Sequence, residues 1–205
     1  MRTPTLLLVT ALFAACSSKV DDKPKATVKD AKDVPADIAD TPEGGPKLDK
    51  ASSSIGFIGA KVTDDHEGTF SDFTAAVALD GDTPTSLTIK VKTDSVQVEP
   101  EKLRNHLKSA DFFDTAKFPD AAFRSRKIEA KADGAATHLV EGVLDLRGEK
   151  KDISFPATIT IDKTNVKGRA EFSINRKDFG IVYAGMADDL IKDDVVLKID
   201  LAFTR

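Results

Sequence analysis

Hydrophobic and polar residues alternate along most of the chain from about residue 47 to its end. In five runs every second residue is apolar or small, which is the period of a strand with one buried face. These runs cover residues 73–79, 87–91, 153–161, 166–174 and 195–203. Three shorter patterns are marked by Ile55 and Phe57, by Phe123 and Ile128, and by Val140, Leu144 and Leu146. The sequence therefore predicts eight strands.

One segment between the third and fourth predicted strands has the period of a helix. Leu103 and Leu107 repeat at i and i+4, and Pro100 stands where the first turn of a helix tolerates proline. This spacing predicts a helix over about residues 100–110. Pro156 lies inside a strand pattern but has no N–H to donate, which favours a sheet edge or a bulge at that point.

The fold class that follows is all-β, with antiparallel strands and a short helical insertion between strands 3 and 4. Eight amphipathic strands of this kind form either a closed barrel or a sandwich. The interior of an eight-stranded barrel is filled by its own side chains or holds one small ligand. The alternation of residues alone leaves these options open.

The first residues of the chain have a different pattern. Arg2 precedes a short apolar stretch over residues 6–13, and Ala14 and Ala15 precede Cys16, the single cysteine of the chain. The stretch is too short for a helix that spans a membrane. It resembles a bacterial lipoprotein signal, which is cut before a cysteine that then carries lipid, although Phe13 departs from the usual aliphatic residue. An ordinary secretory signal is the alternative.

Three regions are expected along the chain. Residues 1–15 are a lipoprotein signal peptide, residues 16–46 are a lipidated Cys16 with a disordered tether, and residues 47–205 are a single β domain. Residues 17–46 contain no aromatic residue and are rich in Lys, Asp, Ala and Pro, a composition that is typical of disorder. Ser17 after the cysteine would, by the sorting rule of enteric bacteria, place the protein in the cell envelope on the periplasmic face of the outer membrane.

The most distinctive stretch is LRNHLKSADFFDTAKFPDAAFRS, at residues 103–125, with four of the twelve phenylalanines of the chain. It is followed in order by LDLRGEKKDISFP at 144–156, INRKDFGI at 174–181 and an Asp-Val pair at 194–195. Together these motifs resemble the YceI-like family of polyisoprenoid-binding, base-induced periplasmic proteins. Asn105 departs from the family's usual Asp, the context of His66 is shifted, and Gly-Glu-Lys replaces a Gly-Val-Thr turn.

The resemblance implies an eight-stranded antiparallel, lipocalin-like β-barrel with an apolar tunnel for a long isoprenoid chain or a similar amphiphile. Such a tunnel needs apolar walls, because a buried unpaired polar atom costs about 1–3 kcal/mol. Each candidate wall residue has ordinary core packing as its alternative. The candidate lipid-binding residues are Phe57, Phe70, Phe73, Phe112, Phe113, Phe123, Phe155, Phe172, Ile174 and Phe179.

Three cationic or titratable residues in the matched motifs are candidates for contact with a polar head group. Arg104, His106 and Arg176 could pair with a phosphate. Their alternatives are structural: Arg176 would bond the backbone carbonyls of a loop, and His106 would be a satisfied helix residue.

Neither catalysis nor a metal or cofactor is expected. The chain has no G-x-S-x-G motif, and His66, His106 and His138 show no ligand spacing. A net charge of −4 argues against nucleic acid as a partner, because phosphate binding needs a basic surface.

The expected function is binding of an isoprenoid or other long-chain amphiphile, with membrane attachment through Cys16. A structural or stress role with a filled barrel, and an enzyme acting on a lipid or quinone, are the alternatives. The oligomeric state stays open, with a dimer among the options.

Overall fold

The computed structural model describes residues 18–32, 45–187 and 189–205. Cys16 and the predicted signal peptide lie outside these residues. The described ranges contain one α-helix, α1 (Glu101–Lys108), which follows Pro100. No helix in these ranges is long and apolar enough to cross a membrane. The strands of these ranges are β1 (Thr27–Asp30), β2 (Lys47–Leu48), β3 (Ser54–Ala60), β4 (Asp65–Phe70), β5 (Phe73–Asp80), β6 (Thr83–Lys92), β7 (Val96–Gln97), β8 (Asp120–Asp133), β9 (Ala136–Leu146), β10 (Glu149–Ile161), β11 (Asn165–Asn175), β12 (Gly185–Met186), β13 (Asp189–Leu190) and β14 (Asp194–Thr204).

Twelve of these strands form one strongly curled antiparallel sheet within the described ranges. Hydrogen-bonded neighbours follow the order β5-β6-β8-β9-β10-β11-β14-β3-β4-β7, with β1 beside β10 and β2 beside β14. The curl brings the two ends of this order together. There the N–H of Ser71 donates to the carbonyl of Ser95 at 3.2 Å, and the N–H of Lys92 donates to that of Asp72 at 2.9 Å. β12 and β13 form a separate hairpin.

The all-β class and the helix are confirmed, whereas the count of eight strands is not. The pattern missed β4, because its sequence DHEGTF has only one large apolar residue, Phe70. It also missed the two-residue strands, which are too short to alternate. The helix lies between β6 and β8, which correspond to the third and fourth predicted strands, but the unpredicted strand β7 directly precedes it.

Side chains of the long strands point alternately into the curl and out of it. In β11, Val166, Ala170 and Phe172 are buried in the main core, while Lys167 and Arg169 are exposed. This period of two is what buries one face of each strand against the others. The main core therefore lies inside the curl of the sheet.

The segment expected to be a disordered tether is instead packed on the sheet over residues 18–32. β1 pairs antiparallel with residues 151–154 of β10. On the other side, the N–H of Ala26 donates to the carbonyl of Ser173 in β11 at 2.9 Å, and the N–H of Ser173 donates to that of Pro24 at 2.8 Å. β10 and β11 pair with each other only from Thr158 onward. The N-terminal segment therefore fills a gap between these two strands.

The physical reasons for this difference lie in β10 and in a few apolar residues of the segment. Pro156 separates the part of β10 that pairs with β1 from the part that pairs with β11, and proline cannot donate to a ladder. Ala26 is buried in the main core, and Val20 is buried on the outer side of the sheet against Ile58 and Val196. Backbone hydrogen bonds to β10 and β11 thus supply the stabilisation that the low apolar content of the segment does not provide.

Candidate functional site

The curled sheet encloses a cavity of about 180 Å³ beside α1. Its wall is almost entirely carbon and is formed by β3, β4, β6, β8, β9, β11 and β14, together with α1, the loop that follows it and the segments between β11 and β14. Alternate inward residues of the strands supply most of this wall. Among the lining residues, Thr93 and Arg176 are the two with side-chain nitrogen or oxygen atoms.

Both polar side chains at the wall already have hydrogen-bond partners within the protein. The hydroxyl of Thr93 donates to the carbonyl of Phe118 at 2.7 Å. Arg176 donates to the carbonyls of Ile181 at 2.6 Å and Lys192 at 3.0 Å. A ligand in the cavity would therefore meet carbon surface and no free donor at these two residues, which suits an apolar chain.

Six of the ten predicted lipid-binding residues lie at this cavity, and four do not. Phe155 instead lines a second, smaller cavity of about 50 Å³ at the other end of the interior. Phe73, Phe172 and Phe179 are buried in the main core away from both cavities. The residues at the larger cavity are Phe57, Phe70, Phe112, Phe113, Phe123 and Ile174.

Aromatic rings gather where the loop after α1 meets the cavity. The ring of Phe113 lies 6.2 Å from that of Phe57 and 5.7 Å from that of Phe70, both in edge-to-face arrangements. The loop is held by the N–H of Phe113, which donates to the carbonyl of Leu107 at 3.0 Å. Phe112 and Phe113 thus line the end of the cavity beside the helix, which we call the mouth.

His106 and Arg104 lie on α1 outside the cavity wall. Nε2 of His106 lies 2.9 Å from a carboxylate oxygen of Asp111, and its ring stands edge-on to Phe112 and Tyr183 at 4.9 and 5.0 Å. Arg104 lies 3.5 Å from the carboxylate of Glu101. Both side chains are oriented by neighbours on or beside the helix.

Arg176 is 3% exposed and fastens two loops at the mouth. Besides the bonds to Ile181 and Lys192, it donates to the carbonyl of Ile191 at 3.4 Å. Burial lowers the pKa of Arg176 from its ordinary value, while Asp193, 3.4 Å away, acts in the opposite direction. Arg176 thus bonds the carbonyls of loops, which is the structural role that the sequence offered as the alternative to head-group contact.

Arg147 is a site-positioning residue that was not among the predicted site residues. It lies in the turn between β9 and β10 with a positive φ of 56°. Its guanidinium donates to the carbonyls of Ala110 and Gly180, each at 2.7 Å. It therefore ties the loop after α1 to the loop before Ile181. An arginine in a turn is usually solvated, so nothing but its place in a matched motif pointed to it.

The aliphatic part of the cavity wall was also missed as a site. It includes Ile89, Val91, Leu144, Leu197 and Ile199. The alternation of the strands had already assigned these residues to the buried face. Apart from Ile174, the prediction singled out aromatic residues and left this signal unused.

Metal ligation has no support in the part of the chain that the structure describes. No group of three or more His, Cys, Asp or Glu side chains there is close enough to hold an ion.

A curled antiparallel sheet around a carbon-lined cavity defines this molecule as an all-β protein with an internal apolar chamber. The model of the family described as the YceI-like domain matches residues 47–203. The chain belongs to that family.

Relatives and solved structures agree with this assignment. A UPF0312 protein from Pseudomonas putida strain F1 is 32% identical over 139 residues, covering 64% of this chain and 71% of the relative. The structure of BcnA from Burkholderia cenocepacia superposes with a TM-score of 0.69 at 22% identity, over 76% of this chain and 99% of that one. A polyisoprenoid binding domain from Saccharophagus degradans, implicated in plant cell wall breakdown, superposes with a TM-score of 0.61 at 16% identity, over 77% and 96% of the two chains. At these identities the two structures establish similarity of fold.

Proposed function

We propose that the protein binds a polyisoprenoid or similar amphiphilic lipid in the larger cavity, inside the lipocalin-like curl of the antiparallel sheet, and catalyses no reaction. The observation that carries this function is a cavity of about 180 Å³ with a carbon wall, in which both polar side chains are already bonded. The similarity of fold to a polyisoprenoid binding domain supports the ligand class.

Energetics favour an occupant. An unfilled cavity costs about 24 cal/mol per Å³, so 180 Å³ corresponds to about 4 kcal/mol. An engineered apolar cavity of about 150 Å³ in another protein stays dry and binds benzene. Each buried methylene contributes about 0.8 kcal/mol, so an apolar chain would recover the cost of the space it fills.

The cavity volume also limits how such a lipid would lie. A space of about 180 Å³ holds part of a long chain and not the whole of it. The remainder would leave by the mouth or displace Phe112 and Phe113. Phe113 is the side chain of this pair that moves more easily, because it is only partly buried, whereas Phe112 is 8% exposed.

We place this function in the cell envelope, with the protein attached to a membrane through lipid on Cys16. The supporting observation is the sequence before Cys16, with its short apolar stretch and two small residues. The Cys16→Ser variant is expected to leave the membrane fraction of cells for the soluble fraction. Retention in the membrane fraction would contradict the anchor.

Two glycines allow a matched test of the cavity as the ligand site. Gly59 lines the larger cavity and Gly168 the smaller one, and an added Cβ at either position meets nothing within 4 Å. Gly59→Val and Gly168→Val therefore place the same side chain in open space at the two ends of the interior. Neither glycine has a positive φ, so valine is compatible with both strands.

The measurement is mass spectrometry of organic extracts from natively purified protein, followed by lipid uptake in vitro. Wild type and Gly168→Val are expected to carry the same lipid. Gly59→Val is expected to lose about tenfold or more of it, because three added carbons replace ligand contacts. No lipid and no uptake in the wild type would overturn the function in favour of a filled, structural barrel. Turnover of a lipid or quinone that Arg104→Ala or His106→Ala abolishes, with binding intact, would favour an enzyme.

A further inference from the structure

The large apolar side chains that the described residues expose are gathered beside the mouth. Val62, Val182, Met186 and Leu190 are 71%, 65%, 69% and 50% exposed. Val62 lies in the turn between β3 and β4, and its N–H donates to the carbonyl of Leu190 at 3.1 Å. Met186 and Leu190 belong to the β12–β13 hairpin. We call these four residues the mouth patch.

The mouth patch continues the cavity wall across the same backbone segments. Ile181 and Ile191 line the cavity, while their neighbours Val182 and Leu190 are exposed. Arg176 bonds the carbonyls of Ile181 and Ile191, which holds the two segments together. The two segments therefore present apolar side chains both to the cavity and to the outside of the molecule.

The N-terminal chain reaches the molecule at the same place. The hydroxyl of Ser18 donates to the carboxylate of Asp65 at 2.9 Å, and the N–H of Lys19 donates to the same carboxylate at 3.0 Å. Asp65 begins β4, three residues after Val62. Cys16 is two residues before Ser18, and two residues span at most about 7 Å. A lipid on Cys16 would thus be tethered close to the mouth patch.

The charges around the mouth patch indicate which kind of membrane surface it fits. Lys61 and Asp189 form an ion pair at 2.6 Å, and Lys177 pairs with Asp193 at 2.9 Å. In sequence, the segments 61–65 and 185–190, which carry three of the four patch residues, contain four aspartates and one lysine. An anionic surface would be repelled by this excess of carboxylates, whereas a neutral one would not.

We propose that the mouth patch docks on the surface of a zwitterionic lipid bilayer, so that the cavity opens toward the layer from which its ligand comes. This docking rests on the proposed lipid anchor and ligand. Burial of four apolar side chains in the interface region adds a second attachment to the lipid on Cys16, and two attachment signals bind a membrane more stably than one.

The absence of tryptophan from the sequence permits a direct test. Met186→Trp places a single fluorophore in the mouth patch, and Ala132→Trp places one at an exposed position in the last part of β8, at the far end of the sheet. Each full chain, produced with its anchor, is reconstituted on phosphatidylcholine vesicles whose acyl chains carry bromine. Met186→Trp is expected to lose most of its emission and Ala132→Trp to keep it. Replacing half of the phospholipid by phosphatidylglycerol is expected to weaken the quenching of Met186→Trp.

Three results would overturn the docking surface. The first is an unquenched Met186→Trp protein that nevertheless sediments with the vesicles through its anchor. The second is failure of the protein to sediment at all. The third is a change in Met186→Trp emission that depends on protein concentration without vesicles, which assigns the patch to a second copy of the chain. Quenching does not require a ligand in the cavity, so a quenched protein without extractable lipid would contradict the proposed ligand alone.

Discussion

The two ends of the interior both carry phenylalanine, yet one end is filled and the other is hollow. At the far end, the rings of Phe155 and Phe172 stack 4.0 Å apart with an interplanar angle of 10°. Phe123, which also borders the larger cavity, lies 5.5 Å from Phe155. About 50 Å³ remains beyond them. At the mouth, Phe57, Phe70 and Phe113 meet at angles of 49° to 77°, and about 180 Å³ remains beside them.

The difference follows from the elements that carry the rings. The rings of Phe155 and Phe172 stand on β10 and β11, whose ladders fix their backbones. Phe113 stands on a loop that is held mainly by backbone hydrogen bonds and by Arg147. Phe57 and Phe70 at the mouth also stand on strands, so the loop-borne Phe113 is what distinguishes this end, where it closes the cavity without filling it. Residue type alone therefore does not separate a core phenylalanine from one at a cavity.

The largest expected effect comes from breaking the filled end. Phe172 is 1% exposed, and Phe172→Ala is expected to lower the free energy of unfolding by about 3–5 kcal/mol, because the cavity left behind cannot collapse. Phe113→Ala is the matched change at the mouth. It should cost no more than about 2 kcal/mol, since the side chain is partly exposed and already borders open space. Denaturant unfolding of both variants measures the contrast; equal losses would show that the two ends are packed alike.

A smaller effect is expected from loosening the mouth loops. Arg176→Met would leave the buried carbonyl partners of the guanidinium at Ile181 and Lys192 unbonded, which is expected to cost about 2–4 kcal/mol. Arg176→Lys keeps a charge but lacks the planar fork, so it should recover only part of this loss. Amide exchange should rise in residues 180–192 and stay unchanged in β10 and β11. Faster exchange across the whole sheet would mean that Arg176 supports the entire fold and not the mouth alone.

The sequence predicted the elements in which apolar residues recur at a regular spacing, and it missed those whose order depends on single contacts. Five runs of alternating residues correspond to long strands of the sheet, and Leu103 and Leu107 indicated the helix. β4 was missed because Gly68 and charged residues interrupt its apolar pattern. The packed segment 18–32 was missed because its order comes from backbone bonds to β10 and β11, which composition does not reveal.

The candidate site was predictable to a similar extent. Phe112 and Phe113, which were predicted to contact a lipid, lie at the larger cavity, while Phe73 and Phe179, which were predicted to do the same, lie in the core. Whether an inward phenylalanine meets a cavity depends on the side chains opposite it, and these come from strands distant in sequence. The role of Arg147 depends on two carbonyls, 33 and 37 residues away along the chain.

The smallest expected effect distinguishes the two ends by their response to acid. The pKa of Asp65 is lowered, first because the N–H of Lys19 donates to its carboxylate and then through Ser18 and the charges of Lys192 and Lys19, against burial, which raises it. A lowered pKa in the folded state means that this contact stabilises the protein above about pH 4, the ordinary range of an aspartate, and is lost as the pH falls through the lowered value. We expect less than about 1 kcal/mol from so exposed a contact.

The measurement is amide exchange, corrected for the pH dependence of the intrinsic rate, as the pH falls from 7 to below about 4. Protection at Lys19 and Val20 should fall, while residues 158–161 of β10 and their partners in β11 at the far end should keep theirs. In Asp65→Asn the same two amides should be less protected already at pH 7, and acid should change them little further. A wild-type response that Asp65→Asn leaves intact would assign the acid sensitivity to another carboxylate at the mouth, such as Asp189, whose pKa is lowered chiefly by its hydrogen bond with Lys61. The acid response then reports on the attachment of the N-terminal chain beside the mouth, because the Phe155–Phe172 layer is held by ring stacking, which does not titrate.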